Sequence, residues 1–181
     1  MSEPLQSSVV LITGIMASGK STVAQALAER LPRAAHVRGD AFRRMVVSGR
    51  VEMRPDGDPS AFAQLRLRHR LSALTADTYA EAGFTAVVQD IVIGDELAAY
   101  TALVRTRPLY VVVLAPHPSA VRAREAGRSK TGYGEGWTVE ALDGELRERT
   151  PRVGLWLDTS ERTPKQTVEE ILSRLPEAAV A

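Results

Sequence analysis

Cysteine is absent from this chain, which removes disulfides, thiolate zinc centres and cysteine nucleophiles at once. Histidine occurs three times, as His36, His69 and His117, too scattered to propose a metal site. Aromatic residues are only 5% of the sequence, so an aliphatic core is expected. An excess of one charge is missing too. Twenty-three Lys and Arg face 22 Asp and Glu, a formal +1, without the basic surplus that nucleic-acid or membrane-surface proteins use. No apolar run is long enough to cross a membrane; the first, Val9 to Ile12 behind Glu3 and Pro4, is too short even for a signal peptide. These absences argue for a cytoplasmic protein with no membrane partner and against a nucleic-acid partner. They are silent on oligomeric state.

What is present is 181 residues, 44% hydrophobic and 25% charged, enough for one core and too little for two ordinary domains. Val9 to Ile12 is β-branched and stops at Thr13-Gly14, as a buried parallel strand would. Val23, Leu27 and Leu31 then recur at helical spacing until Pro32. A second strand, Ala35 to Arg38, ends at Gly39-Asp40. Residues 41–50 read as helix and Arg54 to Ser60 as a loop. A long helix is predicted from Ala61, capped by Ser60 or a neighbour, to about Ala82, with Leu67, Leu71 and Leu74 as its buried stripe. Further strands are expected at Thr85 to Asp90, Leu109 to Leu114 and Val153 to Leu157. Helices are expected over about 96–106, from Ser119, after Thr138, and around Val168, Ile171, Leu172 and Leu175. Five strands alternating with helices predict an α/β, doubly wound, five-stranded parallel sheet covered on both faces.

The segment Gly14-Ile15-Met16-Ala17-Ser18-Gly19-Lys20-Ser21 is G-x-x-x-x-G-K-S between a predicted strand and a predicted helix, the context of a phosphate loop. Gly14 and Gly19 permit a tight turn whose N–H groups converge on one concavity at a helix N-terminus. Gly14, Ala17, Ser18, Gly19, Lys20, Ser21 and Thr22 are therefore the expected ATP-binding residues. Lys20 would reach the β- and γ-phosphates, and Ser21 would offer its hydroxyl to Mg²⁺. The D-x-x-G and N-K-x-D segments of a GTPase do not stand in their usual places, and motor or RecA-like ATPases are generally longer. The polar, basic and glycine-rich stretch from Gly127 to Gly136 has instead the composition of a kinase lid.

With Val37-Arg38-Gly39-Asp40, Val87-Val88-Gln89-Asp90, Arg124 to Lys130 and Leu157-Asp158-Thr159-Ser160, the phosphate loop makes residues 8–175 resemble the small-molecule kinases around chloramphenicol phosphotransferase. Gluconate kinase, shikimate kinase and zeta toxins are wider relatives. The resemblance implies one P-loop kinase-like domain over residues 1–181 with a lid at about 124–136. It implies transfer of the γ-phosphoryl group of ATP, with Mg²⁺, to a hydroxyl of a small molecule, an antibiotic or a sugar-like metabolite. Asp40 takes the position of the family aspartate that approaches the acceptor hydroxyl, and a carboxylate at the C-terminal end of a strand next to the phosphate-loop strand is also expected to face the ligand crevice of an open sheet. A helix cap is its plainer use.

Asp90 matches an acid that holds Mg²⁺ through water or contacts substrate. Gln89 departs from the pattern, since chloramphenicol phosphotransferase has a second aspartate there. Arg124 and Arg128 correspond to lid arginines that neutralise phosphoryl charge, with Arg122 and Lys130 as competitors. The segment from Asp158 to Pro164 is a candidate for the adenine site. Arg66, Arg68 and Arg70 read as the solvated face of the long helix, and Tyr133, Trp137 and Trp156 as packing residues. Convergence of Arg43, Arg44, Arg66 and Arg70 would instead indicate a nucleotide or polynucleotide-end kinase. A non-catalytic ATP-dependent switch is the remaining alternative.

Overall fold

A computed structural model describes residues 5–129, 133 and 136–181. Lys130, and the parts of the expected lid at 130–132 and 134–135, lie outside them. The strands are β1 (Val9–Thr13), β2 (Ala34–Arg38), β3 (Thr85–Gln89), β4 (Leu109–Leu114), β5 (Leu155–Leu157) and β6 (Ala179–Val180). The helices are α1 (Lys20–Arg30), α2 (Gly39–Arg44), α3 (Pro59–Glu81), α4 (Asp95–Leu103), α5 (Pro118–Ala126), α6 (Val139–Gly144), α7 (Pro164–Ser173) and α8 (Leu175–Ala178). The parallel strands run in the order β2-β3-β1-β4-β5. Two-residue β6 adds an antiparallel pairing to the start of β4, which the sequence did not announce.

Every residue of β1 is buried, and its side chains alternate between two cores. Val9 and Leu11 join Ala73, Ala76, Tyr100, Val111 and Leu146 on the α3–α4 side. Val10 and Ile12 join Val23, Leu27, Val112 and Ile171 beneath α1 and α7. Burial on both faces explains the unbroken β-branched runs of β1 and β4.

Several helix boundaries differ from the periodicity. The second helix ends at Arg44 and does not run to residue 50, because Val46 and Val47 favour extended backbone and Gly49 turns with φ +76°. Helix α3 is capped by Asp58, which accepts from the Ser60 N–H at 2.8 Å, with Pro59 in its first turn. Helix α4 stops at Leu103. There the Asp77 carboxylate accepts from the N–H groups of Arg105 and Thr106 and holds them out of helix.

The largest correction concerns the face of α3. Leu67, Leu71 and Leu74 are 43%, 38% and 54% exposed, while Ala61, His69, Ser72, Ala73, Ala76, Asp77 and Ala80 are buried. Small residues let α3 lie close to β3, and that turns the leucines outward.

Candidate active site

At the carboxyl end of β1 the chain enters residues 14–19 with φ +149° at Gly14, +61° at Ala17 and +95° at Gly19. A Cβ on Gly14 would stand 2.5 Å from the Leu114 carbonyl oxygen and 2.7 Å from Ser18 Oγ, so this position admits only glycine. Ala17, with a side chain, carries strain in the left-handed region. Inside the loop the Lys20 ammonium is buried and donates to the Ile15 carbonyl oxygen at 2.6 Å. Burial lowers its pKa to about 7. The charge of Asp90 opposes this shift, and those of Arg128 and Arg68 add to it. The Ser18 hydroxyl is also buried and has no hydrogen-bond partner among the described residues. A buried cation short of counter-charge and an orphaned hydroxyl in one loop fit a polyphosphate. Ser21 and Thr22 lie exposed on the first turn of α1, where the Ser21 hydroxyl could reach a cation carried in on phosphate oxygens. Among the described residues no group of three His, Asp or Glu could hold a metal without such a ligand.

Strand order places two carboxylates differently from the expectation. β3 lies between β1 and β2, so Asp90 follows the strand next to the phosphate-loop strand, while Asp40 follows the edge strand one position further out and not a direct neighbour of β1. Asp90 is buried, accepts from Arg68 Nε at 2.8 Å and from a second guanidinium nitrogen, and also accepts from its neighbour's N–H, Ile91, at 2.7 Å. Arg68 therefore does not belong to a solvated face; its side chain is 15% exposed and that of Asp90 1%. Gly39 makes room for the pair, since a Cβ there would run into Asp90 Oδ2.

Asp40 is half-buried in the first turn of α2 and accepts from Arg43 Nε at 3.0 Å and Arg44 at 2.6 Å. Burial pulls its pKa upward. The Arg43 hydrogen bond and the charges of Arg43, Arg44 and Arg68 outweigh that and hold it below the ordinary aspartate value. Asp40 is thus an ionised acceptor within the field of Arg43, Arg44 and Arg68, suited to orienting a hydroxyl more than to taking its proton early.

Arg124, from the last turn of α5, donates to the Ser18 carbonyl at 3.2 Å and to the Thr159 carbonyl at 2.5 Å, linking the phosphate loop to the segment after β5. Arg128 is half-exposed and pairs with Glu125 at 3.3 Å. Arg122 turns away to Glu140. Tyr133 donates to the Met16 carbonyl at 2.7 Å, a tie across the loop that composition alone could not reveal. Trp137 Nε1 donates to the Met53 carbonyl at 2.9 Å, and Trp156 stacks under Arg152. Asp158 accepts from the Ser160 N–H at 2.9 Å and Thr163 caps α7. Arg43 and Arg44 meet at Asp40, while Arg66 reaches Glu96 on α4 at 3.3 Å and so does not join them.

A family model described as an AAA domain matches residues 9–152. The chain belongs to that AAA-domain family. Its fold recurs in a sugar kinase from a Janibacter species (20% identity, TM-score 0.66, covering 94% of this chain and 95% of that one). It recurs in a Mycobacterium tuberculosis APS kinase solved with AMPPNP and APS (19%, 0.66, 96% and 99%) and a Sinorhizobium meliloti gluconokinase (19%, 0.62, 93% and 93%). No curated protein is significantly similar in sequence. This AAA-domain chain thus has the P-loop kinase-like fold, a parallel sheet with helices on both sides. The narrower likeness to chloramphenicol phosphotransferase rests on the sequence motifs alone. No helix among the described residues is long and apolar enough to cross a membrane.

Proposed function

We propose that this protein is an ATP-dependent phosphotransferase acting on a hydroxyl of a small molecule, and that residues 124–136 serve as its lid within one catalytic domain. The observation that carries this reading is the buried Lys20 inside a positive-φ phosphate loop, with Asp90 at the end of the adjacent strand β3 and Asp40 at the end of β2 beyond it. The kinase names of the fold's relatives support it, and one of those was solved with AMPPNP. ATP as donor suits a cytoplasmic setting.

In this reading Gly14, Ala17, Ser18, Gly19 and Thr22 line the polyphosphate site, and Lys20 draws charge from the β- and γ-phosphates. Mg²⁺, when bound, would neutralise phosphate charge, held by the Ser21 hydroxyl with Asp90 behind it through water. Asp90 has its own carboxylate oxygens engaged by Arg68, which favours a water-bridged over a direct contact. Arg124 stabilises charge on the transferred group, and Arg128 assists from the lid. Asp40 accepts the acceptor's hydroxyl hydrogen bond and aims its lone pair in line with the γ-phosphorus. The acceptor O–P bond forms, the β,γ-bridging O–P bond breaks, ADP leaves and the hydroxyl proton passes by way of Asp40 to solvent. A loose transition state requires little deprotonation before attack, so an aspartate held below its ordinary pKa is adequate.

The test is a screen of hydroxylated compounds for ADP release, with mass detection of the phosphate ester. Acceptor-dependent release with equimolar ester supports the reading; only slow hydrolysis and partner-dependent nucleotide affinity would make the chain a switch.

A further inference from the structure

Between α2 and α3 lies a cleft walled by Phe42, Val46, Val51, Met53, Leu67 and Leu71, and lined too by Arg43, the hydrogen-bond partner of Asp40. Leu67 and Leu71 are the leucines that α3 turns away from the core, and Met45 and Val47 add exposed apolar surface on the adjoining loop. A water-facing apolar wall beside a charged site is costly unless something apolar covers it. The loop bearing Met53 is braced from the far side by the Trp137 hydrogen bond to the Met53 carbonyl.

Charge narrows the occupant further. Two cations line the cleft, Arg43 and Arg68, and each is ion-paired: Arg43 with Asp40 at 3.0 Å and Glu52 at 2.5 Å, carboxylates it shares with Arg44 and Arg50, and Arg68 with Asp90 at 2.8 Å. Gln64, the neutral polar residue of the wall, has its amide occupied by backbone. Its carbonyl accepts from the Val51 N–H and its NH₂ donates to the Gly49 carbonyl. A sugar acid or phosphate ester would have to break an ion pair and strand a carboxylate, and a polyol would bury hydroxyls against leucines without partners.

We propose that the phosphoryl acceptor of this site is a neutral alcohol with an apolar body. Its body lies against Leu67, Leu71, Phe42 and Met53, and its hydroxyl meets Asp40. The assignment rests on the kinase reading above and narrows it, setting polyols, sugar acids and nucleotides aside. The transfer is the balanced one already described, from ATP and the alcohol to ADP, the phosphate monoester and one proton.

The experiment measures ³²P transfer from γ-labelled ATP to 3-phenyl-1-propanol and cyclohexylmethanol as apolar probes, and to glucose, gluconate and AMP. ATP binding to the same protein is followed by calorimetry. The apolar alcohols should show kcat/KM on the order of a hundredfold above the other three. Leu71→Asn should raise their KM about tenfold while kcat moves less, a split that general misfolding would not give. Glu52→Gln, by releasing one partner of Arg43, should increase gluconate affinity severalfold. Comparable or better use of glucose, gluconate or AMP overturns the assignment, as does intact ATP binding with no transfer to either apolar alcohol. If ATP itself does not bind, the phosphate-loop reading fails, and the assignment falls with it.

Discussion

Arg68 and Asp90 form a buried ion pair at the carboxyl end of β3, with Nε 2.8 Å from Oδ2 and a carboxylate that is 1% exposed. Burial works against the arginine's charge, but the Asp90 hydrogen bond and charge, with help from Asp40, raise its pKa, so the guanidinium stays protonated. Removing one member leaves an uncompensated charge beside Lys20. Arg68→Met should therefore destabilise the protein by about 3–5 kcal/mol in urea unfolding. Arg68→Met with Asp90→Leu should recover much of that stability while leaving phosphoryl transfer impaired. Near wild-type stability for the single variant would show that the pair is not buried in solution.

Lys20 offers a pH-dependent prediction. Its folded pKa of about 7 lies below the ordinary 10.5, so between those values the folded chain binds fewer protons than the unfolded one. Its contribution to stability then improves as pH rises through that window. A phosphate would raise the folded pKa again. Nucleotide binding at pH 8 should thus take up protons, seen as a buffer-dependent calorimetric heat, and affinity should fall as pH rises from 7 to 9. Lys20→Met should abolish this coupling and nucleotide binding, with a melting temperature equal to or above that of the wild type.

Arg124 bridges the Ser18 and Thr159 carbonyls, whereas Arg128 is half-exposed and held by Glu125. Arg124→Ala should lower kcat by on the order of a hundredfold, with a smaller loss of ATP affinity, because the charge it answers grows in the transition state. Arg128→Ala should cost less. Equal and minor effects in steady-state kinetics would move the charge-stabilising role elsewhere in the lid.

Asp40→Asn keeps the shape of the side chain and removes its charge. Transfer to an identified acceptor should drop by roughly a hundredfold, the low end for a positioned base, with ATP affinity within a few-fold of wild type. Because Arg43, Arg44 and Arg68 hold the wild-type carboxyl below the ordinary aspartate value, Asp40 should add no acid limb to the rate profile between pH 5 and 7. Normal transfer with reduced thermal stability would make the residue a structural partner of the two arginines.

Much of this architecture was legible because local chemistry agreed with tertiary context. Val9 to Thr13 and Leu109 to Leu114 are β-branched or aliphatic runs buried on both faces, and Gly14 and Gly19 mark a turn that few other residues permit. Where packing overrode pattern, the sequence misled. Leu67, Leu71 and Leu74 have the spacing of a core stripe, yet Ala73, Ala76 and Ala80 form the buried face because a close helix–sheet approach selects small side chains. Helical spacing puts Arg66 and Arg70 on one face and Arg68 on another, but only the fold, by bringing Asp90 under Arg68, shows what that face meets. In the sequence Gly39 only marks the end of the second strand, whereas in the fold it is the gap that admits the Asp90 carboxylate. Strand β6 spans two residues, too few for any alternation to show.

The most direct test follows the label from γ-³²P-ATP when the purified protein is given a hydroxylated acceptor. Phosphoryl transfer by this site predicts acceptor-dependent ADP release, with the label recovered in a phosphate monoester in equal amount and lost in Lys20→Met. Label recovered only as inorganic phosphate, at a rate that no acceptor changes, would contradict it.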